Sequence, residues 1–459
     1  MKTIAWFLVL GVGFGLMLLA YEAFIRIADP GPWTTAFLYV SDDEPGPEAE
    51  GLTVAAARVR RLPLPKRSMV VADALQSGNP QAGRFIDEAL GEKVFLLPGL
   101  RDVFGPDVLA DGRLPAPGAA EVLAGAQAAH PDEVRIGDQT LRVVGVLDRS
   151  VVVFARSYLL GSDAAGADLF DLPNPDVERA YVVRLPREAL RQEDVRQRLE
   201  AAFPEDRFTP LTGDLRVGGG PLALYLGGMA MMFLGGAALF VRLFRWMGRT
   251  VTNRVLGPPL VALDRWWGLL AGLNALVFGT YLLAAVAAYV VPEMQSILLA
   301  GVVQEIQSGS GPLALAGKGY ATGNVLWAAG ATLGVNFVVG SVAVITVPSV
   351  VLPGVGVLVA WFRSGVLGLM LAPTSWRMAG TMLPHSFTVL VELEAYIVAA
   401  FFVVLIPVYL FRRSEGPSVL GRWSKALLLN LQAQILVFVI LAIVAVYEAT
   451  EVLLLVKYG

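Results

Sequence analysis

The chain contains no cysteine, two histidines and few charged residues, 16% of 459. Without cysteine there is no disulfide framework, no thiolate-ligated zinc or iron–sulfur centre and no thiol nucleophile. Two histidines, His130 and His385, cannot build a multi-histidine metal site. A Walker-type phosphate loop, a Gly-x-Ser-x-Gly elbow and a His-Glu-x-x-His motif are also missing. The expectation is a protein with no catalytic residues, no metal, no cofactor and no nucleic-acid partner. Soluble domains carry roughly a quarter charged residues. The shortfall, beside 55% apolar residues, points instead to a chain whose main partner is the lipid bilayer.

The charge that is present is unevenly spread. Residues 29–216 hold 21 Lys and Arg against 30 Asp and Glu, while the remainder holds 15 against 9. An acidic polar block is thus set into an apolar, mildly basic chain. Apolar runs near 4–23, 221–241, 266–291, 324–347, 350–372, 387–411 and 426–447 are each about the length that crosses ~30 Å of hydrocarbon. The fold class predicted is an α-helical integral membrane protein of about seven transmembrane helices with an α+β extracytoplasmic domain. Residues 1–28 read as an uncleaved anchor, because no small-x-small cleavage site follows the apolar run. Residues 217–265 supply the second span and a basic loop, and 266–459 a five-span bundle.

Orientation follows from short loops, since basic residues collect on the cytoplasmic side. Loop 242–265 carries Arg242, Arg245, Arg249 and Arg254, and loop 412–425 carries Arg412, Arg413, Arg422 and Lys425. Placing both inside puts the N-terminus in the cytoplasm and 29–216 outside a bacterial inner membrane. The arginines of the first loop read as topology determinants, or as contacts for anionic lipid or a cytoplasmic protein. Pro348, Pro353, Gly354, Gly356 and Arg363 interrupt the segment 348–372, which predicts a broken helix or a re-entrant hairpin. Gly11, Gly13 and Gly15 lie inside an apolar run and predict a packing face, not a nucleotide loop.

In the polar block, 29–68 is rich in proline and charge and predicts an extended stalk. Val134 to Leu147 alternates about Gly137-Asp138, a hairpin signal, and 179–185 alternates as another strand. Arg187 to Phe203 has amphipathic helical spacing. Gly112-Arg113-Leu114-Pro115, Glu121-Val122-Leu123-Ala124 and the 134–147 hairpin together resemble the periplasmic core domain of MacB/FtsX-type permeases. That resemblance implies a domain between the first two spans and a separate ABC ATPase as partner.

Charge at bilayer depth is costly, so the polar residues inside the apolar runs are the site candidates: Asn336, Arg363, His385, Glu392 and Glu394. On a helix His385 and Glu392 share a face, while Glu394 points about 160° away from Glu392. Two readings stand side by side. The cluster serves a proton or solute path, or its ions pair and hold helices in register, with His385 at the rim as a helix-start residue. Asn336, flanked by Gly334 and Gly340, also fits simple interhelical packing.

Asn336, the Arg363-Ser364-Gly365 element, Leu383-Pro384-His385-Ser386 and Glu392-Leu393-Glu394-Ala395 together resemble the stage II sporulation protein M family. The resemblance covers 266–447. It implies a non-enzymatic membrane scaffold or complex-assembly protein whose partners are other membrane or envelope proteins. A MacB-like transport or mechanotransmission subunit and an ion- or proton-coupled carrier are the alternatives.

Overall fold

The computed structural model describes residues 2–25, 36–40, 53–62, 92–126, 128, 131–136, 138–148, 151, 154, 157–161, 164–165, 167–170, 177–184, 193–202, 209–211, 217–291, 294–295, 298–299, 301–302, 305–306, 309–352, 354–412 and 418–458. Two compact units emerge: Met1–Arg26, Val217–Thr374 and Met378–Gly459 form one, and Ile27–Arg216 with Ser375–Arg377 the other.

The second unit is a mixed ten-stranded sheet in the order β10-β1-β9-β2-β3-β8-β5-β7-β4, with β6 paired to β7. Its strands are β1 (Ala36–Val40), β2 (Thr53–Arg61), β3 (Lys93–Leu97), β4 (Leu109–Gly112), β5 (Glu121–Ala124), β6 (Glu133–Ile136), β7 (Gln139–Leu147), β8 (Ser157–Gly161), β9 (Val177–Arg184) and β10 (Thr209–Leu211). β3 and β8 run parallel and are buried throughout, so apolar layers cover both sheet faces. Phe95, Leu97, Leu123 and Leu159 fill one layer, and Val94, Leu96, Val122 and Leu160 the other. The predicted hairpin is β6–β7, with Ile136 opposite Gln139, and β9 contains 179–184 of the strand predicted at 179–185, whose last residue lies outside the described ones. The predicted helix at 187–203 appears as Glu193–Ala202; the start of that prediction and His130 lie outside the described residues.

The stalk expected at 29–68 is corrected. β1 and β2 from that stretch enter the sheet, with β2 hydrogen-bonded between β9 and β3. Ala57 and Val59 face the core, and the intervening Arg58 donates to the Phe170 carbonyl at 2.9 Å. Strand alternation hides its apolar half behind the arginines of the other face.

The first unit is helical. α1 (Lys2–Ala20) continues as a π turn to Ile25. After α2 (Leu100–Val103) and α3 (Glu193–Ala202) of the other unit come α4 (Gly219–Thr250), α5 (Gly257–Arg265), α6 (Trp267–Val290), α7 (Pro312–Ala321), α8 (Val325–Leu333), α9 (Val347–Val351), α10 (Val355–Met370), α11 (Trp376–Phe411) and α12 (Val419–Tyr458). A 13-residue π-helical segment, Gly334–Thr346, joins α8 to α9. Among the described residues six helices are long and apolar enough to cross a membrane: 3–25, 219–250, 267–290, 325–351, 376–411 and 419–454. Large apolar side chains such as Phe362, Ile443 and Leu326 remain exposed on the bundle, as a lipid-facing surface requires. The chain is a multi-pass membrane protein with an α+β domain.

The expected fifth span at 350–372 is shorter than predicted. Residues 347–351 finish the preceding helix, and the chain turns at Gly354, whose φ of 102° suits a residue without a side chain. α10 then has 16 residues, about 24 Å of helix. Gly13 packs on the α4 backbone at Gly228 and Met232, whereas Gly11 and Gly15 face open space. Close helix contact through a small residue therefore accounts for one glycine of the three.

Candidate functional site

α10, α11 and the π segment carry the five candidate residues, and α12 carries several of their partners. Arg363 of α10 is the centre. Its Nη2 lies 2.8 Å from the Tyr396 hydroxyl, 3.3 Å from Glu392 Oε1 and 3.3 Å from Asn336 Oδ1. Two hydrogens serve three oxygens there, so the bonds are shared. Tyr396 donates to Glu392 Oε1 at 2.9 Å, and the guanidinium stands 4.3 Å from the Tyr396 ring centroid. Glu392 and Tyr396 are four apart on α11 and so share a face. Gly340 makes room for the group: a Cβ there would stand 2.9 Å from Arg363 Nη1 and 3.0 Å from the Tyr396 hydroxyl.

The π winding explains how Asn336 arrives. Its i→i+5 hydrogen bonds bring residues four to five apart onto one side, and Asn336, Gly340, Ser341 and Ile345 are the buried positions. The same side continues away from Arg363 as uncharged polar groups. Ser341 donates to Gln434 Oε1 at 3.0 Å, and Gln434 Nε2 donates to Thr346 Oγ1 at 3.0 Å.

Toward the other end of α11, His385 Nδ1 lies 3.2 Å from Glu451 Oε1, and Thr388 donates to Glu451 Oε2 at 3.1 Å. Glu448, one turn from Glu451 on α12, accepts from Tyr320 at 3.3 Å, and Thr332 donates to Tyr320 at 3.2 Å. Glu448 is close enough to both Glu392 and His385 to interact electrostatically, which links the two groups. Its Oε2 is buried and has no hydrogen-bond partner. The expectation that His385 starts a helix is corrected: α11 begins at Trp376 and keeps Pro384 inside. Tyr447 donates to the Pro384 carbonyl at 3.1 Å, tying that turn of α11 to α12.

Four of the five candidates therefore fall in neighbouring polar clusters, Asn336, Arg363 and Glu392 in one and His385 with Glu451 in the other. Glu394 does not: it is wholly buried on the opposite side of α11, facing Asn274 of α6. Tyr396, Glu448, Glu451, Tyr320 and Thr388 were not among the candidates. Spacing offered a signal for two of them, since Tyr396 follows Glu392 by four and Glu451 follows Glu448 by three on continuing apolar helix.

The basic loop is differently employed. Arg245 Nε and Arg249 Nε bind Asp264 at 3.1 and 3.0 Å, joining α4 to α5. Arg249, then Arg245, hold the Asp264 carboxyl below its ordinary range. Arg242 donates to Thr3 at 3.3 Å, and the Arg254 carbonyl accepts from Gln432 at 3.3 Å. Among the described residues no group of three or more His, Cys, Asp or Glu is placed to hold a metal ion. Set beside known proteins, the chain matches no family model, no curated protein and no solved structure.

Proposed function

We propose that this chain is an ion-coupled membrane protein whose helical bundle binds and passes a proton or small cation. One observation carries the reading. The neighbouring polar clusters hold three carboxyls, Glu392, Glu448 and Glu451, against one guanidinium and one imidazole. Helix pairing accounts for Arg363 with Glu392 and for His385 with Glu451, but it leaves Glu448 without a cation. An excess acidic group at bilayer depth is satisfied by taking up a positive species. The uncharged strip through Ser341, Gln434 and Thr346 continues in the other direction, as a relay needs.

The test is flux. Full-length protein in liposomes, given a potassium diffusion potential, is expected to acidify the interior. Glu448→Gln and Glu392→Gln should reduce the rate to that of protein-free vesicles. Folded protein that gives no flux in protons or sodium sinks the reading.

The second reading is a non-enzymatic scaffold, as the resemblance to the stage II sporulation protein M family implies. The Arg363 cluster favours it, because it pins α10, α11 and the π segment together. In that reading the outer domain engages an envelope partner. Coupling to an ABC ATPase is less supported, since Arg245 and Arg249 are already engaged by Asp264 within the chain. Both leading readings use the same disposition: seven passes of a bacterial inner membrane including α10, the N-terminus inside and 29–216 outside.

A further inference from the structure

Two adjacent indoles at the start of α6 gather cations from three separate parts of the chain. The guanidinium of Arg412, which follows α11, stands 4.6 Å from the centroid of the Trp266 ring, and that of Arg265, the last residue of α5, stands 5.8 Å from the same centroid. Arg245 of α4 stands 5.1 Å from the Trp267 ring. The charge is poorly balanced. Residues 242–265 hold five Lys and Arg and 412–425 four, against Asp264 and Glu415. Asp264 already serves both Arg245 and Arg249. Among the described residues the ring of Trp266 is the side-chain partner of Arg412, and its N–H donors meet no acceptor. A ring contact is worth about 0.5–1 kcal/mol at an exposed site, but it supplies no counter-ion. Like charges collected in this way are satisfied by an anion.

The neighbours indicate which anion. Trp267 opens a helix of membrane-spanning length, and Phe411 closes another. The cations therefore stand where hydrocarbon gives way to water, at the level of lipid headgroups, which is also where tryptophan concentrates. Phe411, beside Arg412, is 85% exposed, and Trp267 is 47% exposed. Large apolar side chains next to unbalanced cations match a ligand with an anionic head and a hydrocarbon body. A soluble anion would use the charge alone.

We propose that Arg412, Arg265 and Arg245, set around Trp266 and Trp267, form a binding site for an anionic phospholipid of the leaflet that this end of the bundle meets. The headgroup phosphate lies on the guanidiniums, and the acyl chains run along Phe411 and Trp267. One lipid thereby links α4, α5 and the end of α11, offsetting the charge that their connectors bring together. The site is separate from the carboxyl clusters of α11 and α12 and stands under either reading of the bundle.

Native mass spectrometry of the full-length protein, released from micelles holding phosphatidylglycerol or phosphatidylcholine, tests this. Wild type is expected to retain phosphatidylglycerol in preference. Arg412→Gln should weaken that retention about fivefold, the contribution of one basic side chain near an anionic headgroup, and leave phosphatidylcholine unaffected. Arg412→Lys keeps the charge and should restore most of the loss; Arg265→Gln, an independent variant, should weaken retention by a similar factor. Arg377→Gln removes a comparable contact, 5.5 Å from the Trp376 ring at the opposite end of α11, and should change nothing. Equal retention of the two lipids by wild type, an equal loss in Arg377→Gln, or displacement of phosphatidylglycerol by equimolar inorganic phosphate would each overturn the site.

Discussion

The guanidinium of Arg412 lies 4.6 Å from the centroid of the Trp266 ring. The first residue follows α11 and the second precedes α6, so the contact joins the two basic connectors. The Gln432–Arg254 hydrogen bond makes the same connection a few turns along α12. Both connectors thus gather at one end of the bundle, where cations accumulate and aromatic rings anchor an interface. A chain that returns to the face it left has crossed an even number of times. Among the described residues three long helices separate the connectors, so the disposition proposed above needs a fourth passage through α10, which local bilayer thinning would have to accommodate.

That argument predicts labelling. Because the chain has no native cysteine, single cysteines at Arg254 and Ser418 are expected to react from the same side of the membrane. One at Thr322 should react from the other side. Opposite accessibility for Arg254 and Ser418 would remove α10 as a crossing and leave it a re-entrant helix.

Two glycines of α10 separate close packing from ordinary contact. A Cβ on Gly368 would collide with the Tyr281 carbonyl and stand 2.9 Å from Ala284 Cβ. On Gly365 it would meet nothing nearer than Thr280 Cγ2 at 3.6 Å. Gly368→Ala should cost about 1–3 kcal/mol through forced separation of α6 and α10. Gly365→Ala should leave the melting temperature in detergent almost unchanged, and equal melting of the two variants would show that α10 does not pack as described.

In the sheet domain, Arg113 donates to Glu121 at 2.8 and 2.6 Å, and the Ala116 N–H adds a third bond at 2.8 Å. Arg113, more than the backbone bond, holds the Glu121 carboxyl below its ordinary value. A carboxyl depressed on folding contributes fully above its unfolded value and loses that contribution as pH falls through the folded one. Protection of the β5 and β7 amides against hydrogen exchange, taken relative to the intrinsic rate at each pH, should therefore fall on acidification through and below the ordinary carboxylate range. In Glu121→Gln the exchange should already be slightly faster at neutral pH, with less change on acidification. The effect is small because the pair is close to solvent, and an unchanged acid limb would mean that Glu121 is not the group titrating.

The apolar runs were legible because length alone marks a bilayer span. Their ends were not. α11 starts at Trp376, eleven residues before the predicted 387, since Arg377 and Pro384 look like loop in the sequence. β2 was hidden by alanines, which are poor strand formers, and by Arg58 and Arg60 on its outer face. In the polar clusters, Asn336, Arg363, His385 and Glu392 were visible as single polar residues in apolar runs. Their partners were not, because Glu448 and Glu451 fall just past the most apolar part of α12. The π winding that turns Asn336 toward Arg363 has no signature in residue spacing read at the helical period.

Arg363 and Glu392 separate a structural pair from a working one. Removing one member of a buried ion pair costs about 3–5 kcal/mol, whereas replacing both with apolar residues of similar volume is often neutral or better. The two single losses are not equal here. Glu392→Met leaves Arg363 bonded to Tyr396 and Asn336, while Arg363→Met leaves three carboxyls with His385 as the basic group facing them. Melting in detergent should therefore fall further for Arg363→Met than for Glu392→Met, and the double variant should recover most of the loss. Flux measured on the same preparations is expected to stay absent in the double variant although its stability returns. Stability and flux recovering together would mean that the pair only holds helices and that ions pass the bundle without it.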